Sequence, residues 1–386
     1  MSTLANLPGL ALMFSGGGAR AAYQVGFLRL FAREFPDAVP DILTGVSAGG
    51  INAAYLAARE ESFAEKVEDL AAVWAGIRID HVFRVDLRDL AGRTLRWGGR
   101  LLGGGAHPLP PARSMVDTAP LREMLAAVLA AENGEMHGVK RNLERGWLRA
   151  LALTASSYTT GQSVTWVQMH KQCLLRAWER PQLKSVTTEF RVEHVMASAA
   201  LPFFFPAVEV DGAWYGDGGI RLTDPLAPAV HLGARKIIAV STRYARTREE
   251  ADRPAVVGYP PPAQVGGILY NAIFLDQLDG DALQLQLINR LIAKLPEAER
   301  EGRRPIDLFM LRPSIDLGRL ANEYEPELPR GFRFLTRGLG TRETRSNDML
   351  SLMMFQKDYV KRLMDLGEED AAARIPEIRQ FLASSR

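Results

Sequence analysis

The chain has 386 residues, of which 47% are apolar and 24% charged, and its 47 basic residues against 45 acidic ones leave a formal charge of +2. This composition belongs to a globular protein with a sizeable core and excludes a disordered chain. The even charge balance argues against a nucleic-acid partner, which requires a basic excess or stripe. The single cysteine, Cys173, rules out an internal disulfide and suits a reducing, cytoplasmic setting. In the run Cys173-Leu174-Leu175 it reads as a small buried hydrophobe. No secretory leader is legible: residues 7–14 are apolar but short, and no basic cluster precedes them. No window reaches the roughly 18 apolar residues of a spanning helix. Contact with a membrane is therefore expected only from its surface.

Leu10–Phe14 is a continuous apolar run that ends in glycines, as a buried parallel strand reads. Residues 19–35 carry Tyr23, Phe27, Leu30, Phe31 and Phe35 at helical spacing. Residues 41–46 read as a second strand and the alanine-rich residues 48–59 as a second helix. This alternation predicts an α/β fold with a mainly parallel sheet. Residues 80–116, rich in Arg and Gly and closing on Pro108, Pro110 and Pro111, read as an excursion from the sheet. Thr118 is the expected N-cap of a helix starting at Ala119, with Pro120 in its first turn. Residues 147–153 and 163–168 alternate like strands. Asp211-Gly212, between 205–210 and 213–215, is a hairpin signal. Asp224-Pro225 opens a predicted helix running to about residue 232, and Lys236–Val240 reads as another buried strand. Further on, Pro254 and residues 260–262 mark a loop. Helical patterns cover 264–299 and 345–365, with a strand candidate at 306–311. No internal repeat is visible, and these later helices are expected to pack on the same core.

Two glycine-bearing turns carry the chemistry. Gly45-Val46-Ser47-Ala48-Gly49 has the Gly-x-Ser-x-Gly pattern between a predicted strand and helix, the context of a nucleophile elbow. Gly45 and Gly49 permit the sharp turn, and the helix start behind Ser47 offers free amides to a developing oxyanion. Alone, the motif reads equally well as a helix N-cap serine. Gly16, Gly17 and Gly18 end the first strand at the same sheet edge. The dinucleotide fingerprint fails, because its third glycine position holds Ala21, and the P-loop lysine is missing. An oxyanion hole fits better. Arg20 behind it reads as an anchor for the loop, a site for a lipid phosphate, or a surface salt bridge.

A serine nucleophile needs a base. The six histidines are His81, His107, His137, His170, His194 and His231. Only His231 follows Asp217 and completes the acid-then-histidine order of α/β-hydrolases, but it falls inside the predicted helix opened by Pro225. Asp217, in Tyr215-Gly216-Asp217-Gly218-Gly219, sits directly after a predicted strand where free backbone permits close approach. Partial burial would raise its pKa into a useful range. The competing reading is a turn-forming Asp, as for Asp211-Gly212 and Asp279-Gly280.

Taken together, these motifs resemble the patatin-like phospholipase family. The resemblance rests on Gly16-Gly17-Gly18 with Arg20, on Gly45 to Gly49, on Asp217-Gly218-Gly219, and on Ala197-Ser198-Ala199-Ala200-Leu201-Pro202. Ala21 departs from it, since many members have glycine there. The resemblance covers about residues 8–243 and leaves 244–386 as a mainly helical extension without an assigned role. It implies a three-layer α/β/α sandwich with a mainly parallel sheet. The implied activity is hydrolysis of lipid acyl esters by a Ser–Asp dyad, without a metal or other cofactor. It gives Ser47 the nucleophile role, Asp217 the base role and the glycine amides the oxyanion role, with a lipid or phospholipid as substrate. The alternatives are a Ser-His-Asp esterase or thioesterase for soluble esters, or a regulatory protein with a silent site. Pro202-Phe203-Phe204-Phe205-Pro206 reads either as core packing or as a wall of an acyl slot. In 84–113, Leu87, Leu90, Leu95, Trp97, Leu101 and Leu102 mix with Arg88, Arg93, Arg96 and Arg100, which suits a solvated loop or a basic interfacial flap.

Overall fold

The computed structural model describes residues 9–84, 114–173, 178–254, 256, 258–274, 277–328, 332–333 and 346–384. Its first strand, β1 (Leu10–Phe14), is buried throughout. Leu10, Leu12 and Phe14 enter one apolar cluster, and Ala11 and Met13 enter another. Both faces are thus covered, which explains an apolar run without alternation. The other strands are β2 (Ile42–Val46), β3 (Ala150–Ser157), β4 (Ser163–Met169), β5 (Leu183–Thr187), β6 (Val208–Val210), β7 (Ala213–Asp217), β8 (Lys236–Val240) and β9 (Asp307–Leu311). The sheet runs β5-β4-β3-β2-β1-β8-β9. From β3 to β9 along this path the pairing is parallel, as it is between β4 and β5. Only β3–β4, β3–β7 and β6–β7 are antiparallel.

One face of the sheet is covered by α1 (Ala22–Glu34), α2 (Ser47–Ala58), α3 (Phe63–Ala75), α4 (Ile79–Val82), α5 (Ala119–Val128), α6 (His137–Glu144) and α7 (Val192–Ser198). On the other face lie α8 (Ala227–His231) and, after the short α9 (Arg248–Ala251) and α10 (Pro262–Phe274), the long α11 (Gln277–Lys294). The expected three-layer α/β/α sandwich is what forms. The C-terminal third adds β9 to the sheet edge and then returns to the first face. There it forms α12 (Leu317–Tyr324), α13 (Asp348–Met353), α14 (Lys357–Ala372) and α15 (Ile375–Ala383). Helix α14 lies so close along α1 that a Cβ on Gly26 would run into the Met364 carbonyl, and one on Gly367 into the Tyr23 carbonyl.

The hairpin is as expected, with Asp211 at φ 49° and Gly212 at φ 77°. Several local readings need correction. Residues 18–21 form a 3-10 turn before α1 begins. Thr118 precedes the helix at Ala119 but caps nothing with its side chain; Asp117 Oδ1 takes the Ala119 N–H instead, at 2.9 Å. The helix after Pro225 has only five residues, so His231 is its last residue rather than an interior one. The 345–365 pattern is two helices, α13 and α14, and Asp279 sits in the first turn of α11, not in a loop. Cys173 is half-buried, and burial raises its thiol pKa. The ends of the 80–116 excursion meet, with Arg84 N–H donating to Asp117 O at 2.9 Å. Residues 85–113, which include the flap candidate, lie outside the described residues.

Candidate active site

Strand β2 stops at Val46, and Ser47 starts α2 with φ 56°. A left-handed conformation at a side-chain-bearing residue costs roughly 1 kcal/mol or more and persists only where surroundings impose it. Here the packing is backbone on backbone. A Cβ on Gly45 would lie 2.6 Å from the Gly49 carbonyl oxygen, and one on Gly49 2.6 Å from that of Phe14. The elbow is also pinned by a buried serine. Ser198 Oγ accepts from the Ser47 N–H at 3.1 Å and donates to Thr154 O at 2.7 Å. Ser198 ends α7, within the segment that supports the family resemblance.

Sheet register delivers the carboxylate. β2 pairs with β3 as far as Val46↔Thr154. Beyond that point β2 has left the sheet, and β7 takes the vacated edge of β3, with Ala155 opposite Asp217. Ser47 and Asp217 thus end two strands that meet head to head along one neighbour. Asp217 is fully buried, and Ser47 is 3% exposed. Burial pushes the Asp217 carboxyl up to about 7, partly offset by the Ser47 hydroxyl and the Gly219 N–H, which favour its charged form. The Gly219 N–H reaches Oδ1 at 2.9 Å. Oδ2 has no partner of full hydrogen-bond geometry, so the Ser47 interaction is looser than an ideal bond. Gly218 is wedged against the Thr154 carbonyl, where no larger residue fits.

The glycine turn completes the pocket. Gly16 lies beside the elbow, where a Cβ would sit 3.1 Å from Ser47 Cβ. Gly18 adopts φ 54°, and the amides of Gly16, Gly17 and Gly18 meet no acceptor among the described residues. Upstream the turn is held by buried polar groups that sequence reasoning missed. Thr242 Oγ1 donates to Gly16 O at 2.6 Å, and Gln24 Nε2 to Ser15 O at 2.8 Å. Asn52 links Gln24 to the Trp74 indole. Ala21 has ordinary helical dihedrals (φ −64°, ψ −13°), so the departure from glycine costs the turn nothing. Arg20 is neither a surface group nor free for a phosphate: it is buried in an ion pair with Asp348, Nη2 to Oδ1 at 2.6 Å.

From Ser47 an apolar slot runs between α2, α3 and α5, walled by Tyr55, Leu70, Trp74, Leu121, Leu125 and Phe355. Phe205 also lines it, while Phe204 packs edge-on to Phe83 and Phe203 is 73% exposed, so the aromatic segment divides between slot, core and surface. Among the described residues no imidazole joins this group. His231 stacks on Trp178 at 4.5 Å in the other layer. His194 is buried against Trp166 and Phe190, and burial pushes its pKa down to about 4. His107 lies outside the described residues.

The family model described as patatin-like phospholipase matches residues 12–230, more than half the chain. The chain belongs to the patatin-like phospholipase family. Among solved structures it is similar to human GIVD cytosolic phospholipase A2 in complex with a methyl gamma-linolenyl fluorophosphonate inhibitor and terbium chloride, at 14% identity and TM-score 0.45. That match covers 99% of this chain and 60% of that one. It is also similar to VipD from Legionella pneumophila (13% identity, TM-score 0.32, 92% of this chain and 66% of that one). The type III effector ExoU follows at 13% identity and TM-score 0.38, over 98% of this chain and 54% of that one. The chain therefore spans about 60% of the length of the human phospholipase it matches. No curated protein sequence matches it. As a patatin-like protein it keeps both turns and the acidic block within the matched region, whereas Asp348 and Phe355 lie beyond it.

Proposed function

We propose that the protein hydrolyses lipid acyl esters with a Ser47–Asp217 dyad. The observation that carries this reading is the buried Asp217 carboxyl facing the strained Ser47 at the end of an apolar slot. With a pKa near 7, Asp217 is matched to proton transfer at neutral pH. Asp217 takes the Ser47 proton as the oxygen attacks the ester carbonyl. The Gly17 and Gly18 amides receive the oxyanion. Collapse of the tetrahedral intermediate breaks the ester bond, and Asp217 returns its proton to the departing alcohol. Asp217 then deprotonates water, which attacks the acyl-enzyme. Ser47 recovers the proton and a fatty acid leaves. The slot is lined by apolar side chains, which favours a fatty acyl group over a polar one. No step in this scheme uses a metal ion.

The expected partner is a lipid surface approached from one side. No described helix is long and apolar enough to cross a membrane. Helix α10, which carries no charged residue, packs against the turn after Asp217 and turns Val265, Ile268, Leu269 and Ile273 outward. Such a face beside the site suits shallow insertion among acyl chains.

Labelling of wild type and Ser47→Ala with a fluorophosphonate, beside hydrolysis of phospholipid vesicles and short-chain nitrophenyl esters, tests the reading. Labelling confined to wild type and hydrolysis of vesicles are expected; an unlabelled wild type overturns it. Replacing Ile268 and Leu269 with Asp should slow vesicle hydrolysis while sparing the soluble ester.

A further inference from the structure

Arg20 follows directly on the glycine turn, and its own N–H donates to Gly17 O at 3.0 Å. Its side chain leaves the family-matched core for α13. Nη2 meets Asp348 Oδ1 at 2.6 Å and the Asp348 carbonyl at 3.2 Å, while Nε meets Ser351 Oγ at 2.6 Å. The receiving end is itself built. Ser351 Oγ donates to Asp348 O at 2.7 Å, Asp348 Oδ2 accepts from Asn271 at 2.6 Å, and Asn347 caps the helix through the Leu350 N–H at 3.1 Å. The Arg20 side chain is 3% exposed and that of Asp348 14%. One turn further, the Leu352 carbonyl abuts Gly18, and Phe355 forms part of the slot wall.

Burying two charges is costly, and an apolar pair of similar volume often holds a fold equally well. What the planar guanidinium supplies instead is direction, since Nη2 reaches the Asp348 carboxylate and carbonyl while Nε reaches the Ser351 hydroxyl. Here it fixes the residue that sets the downstream edge of the turn. We propose that Asp348 is a positioning residue: through Arg20 it holds the Gly17 and Gly18 amides where an oxyanion forms, so the oxyanion site is finished by the C-terminal third of the chain. This rests on the dyad reading above.

The test is kinetics of Asp348→Asn, Arg20→Gln and the double variant on a soluble nitrophenyl ester, together with fluorophosphonate labelling of Ser47. Because the amides act in the transition state, kcat should fall about 10- to 100-fold, less than for outright loss of a donor. KM should stay within about 2-fold and the pH midpoint set by Asp217 should not move. The double variant should lose no more than the worse single one. An Asp348→Asn enzyme within about 2-fold of wild-type kcat, or losses that multiply in the double variant, overturns the proposal. Should the single variants fail to fold, Arg20→Met with Asp348→Leu replaces the pair by apolar packing. A folded enzyme with low kcat supports the positioning role, and one with wild-type kcat refutes it. Wild-type protein that takes no label at Ser47 overturns the dyad reading, and this inference with it. Labelled wild type beside an equally fast Asp348→Asn overturns the role of Asp348 alone.

Discussion

The two halves of the candidate site are held in different ways. The Ser47 elbow and Asp217 are fixed by the sheet itself, through the β2–β3 and β3–β7 registers and the Ser198 latch onto Thr154. All these residues lie between Ile42 and Asp217, inside the family-matched segment. The glycine turn is held upstream by Gln24 and Thr242 but downstream by Asp348, 328 positions from Arg20. The proposed reacting pair is thus positioned by the core, whereas the proposed oxyanion turn also touches chain added after it.

The sharpest challenge to this contrast is removal of the pair. Ser47→Ala and Asp217→Asn should each abolish measurable turnover while the fold persists. Asp217→Asn should also be more stable at neutral pH. The carboxyl binds its proton more tightly folded, at about 7, than at its ordinary value near 3.8. The folded state is therefore favoured most below pH 4 and loses stability as pH climbs to 7, by on the order of 4 kcal/mol. Chemical denaturation of wild type across pH 4–8 should show that decline, and the Asn variant should flatten it. The same ionisation should make kcat/KM rise with pH about a midpoint near 7. A flat profile would separate Asp217 from the chemistry. A smaller effect is expected from Ser198→Ala, which strands the buried Ser47 N–H at about 1–3 kcal/mol and loosens the elbow. A fall in kcat of about 5-fold, by conversion of the lower figure, with stability reduced alongside, would show that the core half is held locally. Leu125→Trp should shift preference to shorter acyl chains by crowding the slot, read from hydrolysis of an ester series. The least effect belongs to His231→Gln, whose activity should equal wild type; a large loss would revive an imidazole base.

Much of the core half is legible in the sequence. Continuous apolar runs mark β1 and β8, Asp211-Gly212 marks the hairpin that aims β7, and the glycine spacing around Ser47 marks the elbow. These signals are local, because strand burial and turn geometry act over a few residues. The other half is not legible in the same way. Arg20 carries no sign of its partner, since an aspartate 328 positions away looks like any other. The network Gln24–Asn52–Trp74 is likewise hidden, because each member sits in an ordinary helical pattern. His231 is not helix-interior because the helix begins only at Ala227, two residues after Pro225, and is too short to enclose it. Asp279-Gly280 has the composition of a turn, but that dipeptide lacks force once α11 buries Leu278, Ala282 and Leu285 and Asp279 gains Arg243 and Arg312.

The close seating of α14 on α1, glycine against carbonyl in both directions, has a consequence for biosynthesis. A contact spanning nearly the full polypeptide closes only when the late-translated segment has left the ribosome. Until then a nascent chain holds Ser47 and Asp217 without the Asp348 brace on the turn beside them. Stalled chains ending before residue 346 should react with a fluorophosphonate far more slowly than released protein.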